Sequence, residues 1–102
     1  MDYKLLKILP SSHSEKKMMA IFQKPDGKKK TIHFGAAGYP DFTLPPHDKK
    51  KRDLYRQRHL KDLDTEAGKT GVSAGALSYW VLWGNSPSMT ENIKVYKRLY
   101  GL

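Results

Sequence analysis

Cysteine is absent from this 102-residue chain. Its absence removes disulfides, thiolate zinc sites and thiol nucleophiles together, and fits a reducing compartment. Long apolar runs are missing as well. Nothing approaches the ~18 residues of a membrane span, and the opening MDYKLLKILPSS carries too short an apolar stretch for a secretory signal. No Asn-x-Ser/Thr sequon occurs, in agreement with an intracellular protein. Acidic residues are scarce, ten against nineteen Lys and Arg, for a net charge of +9. Uniform basicity would bear on solubility alone, so the placement of the charge decides its meaning.

The placement is uneven. Between residues 49 and 61 stand Lys49, Lys50, Lys51, Arg52, Arg56, Arg58 and Lys61 against Asp53 alone, so this segment holds +6 of the +9. A second cluster, Lys28, Lys29 and Lys30, sits at a turn. Polyanion binding is the leading inference. A hydrophobic fraction of 38% over 102 residues fits one folded domain with a modest core.

Along the chain, YKLLKIL (3–9) reads as a strand ended by Pro10, and MMAIFQK (18–24) as a central strand, apolar on both sides. Pro25 and Gly27 suit a turn, and KKKTIHF then returns as a third strand to residue 34. A loop rich in Gly and Ala, HFGAAGYPDF, follows and closes at Pro45-Pro46. A helix begins near Asp48. At about 100° per residue, Lys49, Arg52, Arg56 and His59 fall within about 80° of one another. That basic stripe reads as displayed to solvent, with Leu54 and Tyr55 as its anchors.

Residues 62–75 read as a polar connection. GALSYWVLWG (75–84) is apolar around its circumference and reads as a short buried helix, packed in the core or against a second copy. SMTE (88–91) predicts a capping box, Ser88 capping and Glu91 reaching back. The helix it opens places Met89, Ile93, Tyr96, Leu99 and Tyr100 on one face, and Lys94, Lys97 and Arg98 on the other. Strands first and helices after give an α+β fold, with about three antiparallel strands (1–34), the basic helix (48–60), and an apolar plus an amphipathic helix (75–102).

Enzyme signals are weak. AGKTG (67–71) matches only the end of a nucleotide-binding loop, with Leu63 where glycine belongs and no strand before it. The four histidines lack helical ligand spacing, and Asp41, His47 and Asp48 make a poor nuclease set. No enzyme, cofactor or metal is therefore expected. The expected nucleic-acid surface is Lys49, Lys50, Lys51, Arg52, Arg56, Arg58, His59 and Lys61, extended by Lys28, Lys29 and Lys30. Gly35, Gly38 and Tyr39 join it because backbone amides in such a loop can meet phosphates. Arg52, Arg56 and Gln57 could enter a major groove.

Three blocks, KTIHFGAAGYPDFT, DKKKRDLYRQRH and SAGALSYWVLWGNSPSMTENIKVYKRLYGL, resemble a small basic protein family of the nucleocytoplasmic large DNA viruses, of marseillevirus and phycodnavirus type. The resemblance covers residues 30–102 and carries no catalytic residues. It implies a viral protein of the infected cell, working in the cytoplasmic virus factory, in the host nucleus or in the virion. Double-stranded DNA is the expected partner, with RNA behind it, bound with little sequence specificity by a homodimer. The alternative is a virion structural protein whose basic face holds acidic protein partners.

Overall fold

The protein is described here from a computed structural model covering residues 2–102. Three antiparallel strands, β1 (Lys4–Pro10), β2 (Lys16–Gln23) and β3 (Lys29–Ala36), form a sheet in the order β1-β2-β3. The doubly apolar strand is indeed the central one. Alternation along β2 sends Ala20 and Phe22 into the core, where Leu5 of β1 and Phe34 of β3 join them. A bulge between Leu5 and Lys7 leaves Leu6 exposed and shifts the register by one residue, from Leu5 opposite Phe22 to Lys7 opposite Ile21.

Helices cover this apolar face, as an α+β architecture requires. The basic helix α1 spans Lys49–His59, and Asp48 caps it by accepting from the Lys50 and Lys51 amides at 3.0 and 3.1 Å. A 3-10 turn at Leu60–Asp64 leads to α2 (Glu66–Thr70), so the expected polar connection is largely helical. Thr65 caps α2 and Gly71, with φ +82°, ends it.

The apolar segment starts as α3 (Ala74–Leu77) and widens into a π turn at Ser78–Leu82. Leu77, Val81 and Leu82 enter the core, and Trp80 donates from Nε1 to the Tyr100 hydroxyl at 3.0 Å. Most of this segment is thus buried within the chain, with Trp80 and Trp83 half-buried at its edge.

Helix α4 (Met89–Tyr100) closes the fold. Only half of the expected capping box forms. Ser88 accepts from the Glu91 amide, but the Ser88 amide turns to Ser86 Oγ and the Glu91 carboxylate pairs with Lys94 at 3.6 Å. Met89, Ile93, Tyr96 and Tyr100 face the core, whereas Leu99 lies at the edge of that face and is exposed. Asn92 is buried instead. It donates to the Val81 and Ser86 carbonyls and accepts from the Ser86 amide, tying the chain after the π turn to α4.

Candidate nucleic-acid interface

The inward side of α1 is the basic stripe itself. Arg52, Tyr55, Arg56 and His59 are its half-buried residues, spaced i, i+3, i+4 and i+7, while the rest of the helix is exposed. The Arg52 guanidinium lies 4.7 Å over the Phe42 ring, and that of Arg56 lies 5.0 Å over Tyr79 and 5.3 Å over Trp80. Arg56 also donates to Asn85 Oδ1 at 2.8 Å. With few apolar side chains to offer, α1 docks through cation–π contacts and arginine stems. Two of the expected binding arginines are therefore largely engaged in holding the helix down.

Rings complete the docking. Trp83, Tyr55 and His59 stack in series, with centroid separations of 4.7 and 4.2 Å and interplanar angles of 12° and 24°. His59 Nδ1 lies 2.9 Å from Asp62 Oδ2. Burial pushes the Tyr55 hydroxyl above its ordinary pKa, opposed by a hydrogen bond with Ser78.

The flank of α1 beside this seam borders a groove of about 630 Å³. Leu54, Lys51 and Arg58 line it from α1, and Gly35, Ala36, Tyr39 and Pro40 from the far side. Phe34, Leu82 and Trp83 contribute apolar surface, and Lys16 and Lys17 add charge from β2. Lys17 donates to the buried carboxylate of Asp41 at 2.6 Å, so its charge is neutralised locally. Among the described residues, Lys16, Lys51 and Arg58 form no ion pair.

Five of the expected residues thus share one groove: Gly35, Tyr39, Lys51, Arg58 and His59. Lys49 and Lys50 are exposed at the start of α1, and Lys61 is exposed beyond its end. Gly38 lies in the turn after β3, with φ +83° and open space around it. Lys28, Lys29 and Lys30 do not join the group. They are exposed at the hairpin turn, and β3 runs from Lys29 to Ala36, roughly 23 Å at the usual strand rise.

Lys16 and Lys17 are not among the expected binding residues, because they lie between the two expected strands, 3–9 and 18–24, in no basic cluster. The hairpin holds the missing information, since counting outward from the Pro25–Gly27 turn pairs Lys16 with Ala36. Asp41 and His47 are occupied structurally. Asp41 accepts from Lys17 and from both the amide and the hydroxyl of Thr43, and His47 Nδ1 lies 2.9 Å from the Phe42 carbonyl. In AGKTG, Gly68 is buried within α2, where a Cβ would meet the Asp62 carbonyl, and Lys69 points toward Asp64 at 3.9 Å.

The strands, the Gly-rich loop and α1 are also what the comparisons pick out. A family model covers residues 6–59, just over half of the chain. The chain belongs to DUF5754, a family of unknown function. No curated protein and no solved structure matches it. The family segment contains both walls of the groove formed by β2, β3 and α1, and ends at His59.

Proposed function

We propose that this DUF5754 protein binds nucleic acid through the phosphate backbone, with double-stranded DNA as its first partner and little sequence specificity. One observation carries the reading. Lys49, Lys50 and Lys51 are exposed together at the start of α1, and Lys51 continues into a groove edge shared with Arg58 and Lys16. These cations have no acidic partners among the described residues, so they are free to replace the counterions of a polyanion. Arg52 and Arg56 support the surface from beneath rather than reading base edges. The resemblance to giant-virus proteins supplies a setting, a viral genome in an infected cell, and that setting is part of the proposal.

Fluorescence anisotropy tests it, with a 30-base-pair duplex, the matching single strand and RNA, each titrated over a range of salt. Binding of the duplex is expected to weaken steeply with salt. In Lys50/Lys51/Arg58→Ala the log–log salt slope should shrink by about 2.7, at about 0.9 per lost phosphate contact. Lys28/Lys29/Lys30→Ala should change it far less. Absence of duplex binding at low salt would overturn the reading.

A further inference from the structure

We propose that the groove beside α1 receives one unpaired nucleotide of a bound duplex, with its base stacked against Tyr39. This inference rests on the nucleic-acid reading above and deepens it. Three features select such an occupant. Tyr39 is 68% exposed and lines the groove, and among the described residues its ring makes no aromatic contact. A large ring left open to water beside an apolar cleft is a stacking platform for any base, because every base has a π face. Phe34 and Leu82 on one side and Tyr55 and Trp83 on the other give the groove an apolar and aromatic interior, while Asp62, which also lines it, is taken up by His59 at 2.9 Å.

The third feature is charge. Lys51 and Arg58 stand seven residues apart on α1, two turns along one flank, with Leu54 between them. A phosphate held at that edge would leave its base directed toward the apolar interior. An acidic peptide could satisfy the cations, but a nucleotide joins a phosphate for that edge and a planar face for Tyr39 in every unit. The volume of about 630 Å³ falls within the ~300–1,000 Å³ usual for small-ligand clefts. Bases stacked inside an intact duplex cannot reach such a cleft, whereas an unpaired base leaves the stack at the least cost. Lys51 joins the two modes, since it belongs both to the exposed lysine run and to the groove.

The test compares a fully paired 30-base-pair duplex with the same duplex carrying a single bulged 2-aminopurine, by anisotropy and by 2-aminopurine emission. The wild-type chain should bind the bulged duplex about tenfold more tightly, the size of one base–aromatic stack, and quench its fluorescence. Tyr39→Phe should keep both effects. Tyr39→Ala should reduce the preference below about twofold and lose the quenching; at an exposed position this variant is expected to fold normally. Equal binding of both duplexes without quenching would overturn this inference and leave backbone binding standing. Full preference retained in Tyr39→Ala would overturn it as well. Failure to bind either duplex would overturn both readings.

Discussion

His33 shows how a single side chain can carry a pH signal without belonging to the candidate site. Its ring stacks on His13 at 3.6 Å, and its Nδ1 lies 2.7 Å from Ser11 Oγ. Desolvation lowers its pKa below the ordinary 6.5, and the nearby positive charges of His13 and Lys16 lower it further. The unfolded chain therefore binds this proton more readily than the folded one. Stability from this residue should be complete above about pH 6.5 and should fall as pH drops from there through the lower folded value. Melting temperatures measured between pH 7.5 and pH 5 should show that decline, and His33→Gln should flatten it. Strand alternation puts His33 on the face opposite Ile32 and Phe34, but nothing in the sequence pairs it with His13. That partner arrives through the turn between β1 and β2, where Ser11 accepts from the His13 amide at 2.9 Å.

At the scale of elements, the strands were legible because a period of two and a Pro-Asp-Gly turn leave little choice of register. The π turn was not, since an apolar segment of ten residues looks alike whether its hydrogen bonds close at four or five residues. The inward face of α1 was misread for a physical reason. Arg52 and Arg56 count as charge in any pattern, yet each uses an aromatic face as its binding partner. The Gly-rich loop was legible as a special backbone, although its first glycine lies inside β3. Gly35 and Gly38 share a positive φ, +80° and +83°, but differ in surroundings. A Cβ at 35 would lie 2.6 Å from Leu82 Cδ1, while one at 38 would meet nothing within 4 Å. Gly38→Ala should therefore cost about 1 kcal/mol of backbone strain, and Gly35→Ala about 2–3 kcal/mol once repacking is added. Urea denaturation of the two variants would measure the difference.

Taken whole, the molecule draws its parts from both ends of the chain. The radius of gyration is 13.0 Å, close to the ~13 Å of an ordinary compact chain of about 100 residues. The Leu5 amide donates to the Leu102 carbonyl at 3.4 Å, so β1 is tied to the last residue. Phe22 and Phe34 of the sheet are covered by Leu77, Val81, Leu82 and Tyr96, all beyond residue 59. A fragment of residues 1–62 should consequently show little ordered secondary structure by circular dichroism and no cooperative melting. The family segment and the folding unit therefore have different boundaries. The match to DUF5754 ends at His59, before the chain has supplied a lid for its own sheet. Within this chain the matched segment and its lid are therefore obligate partners, since the sheet residues and the helical residues that cover them form one shared core.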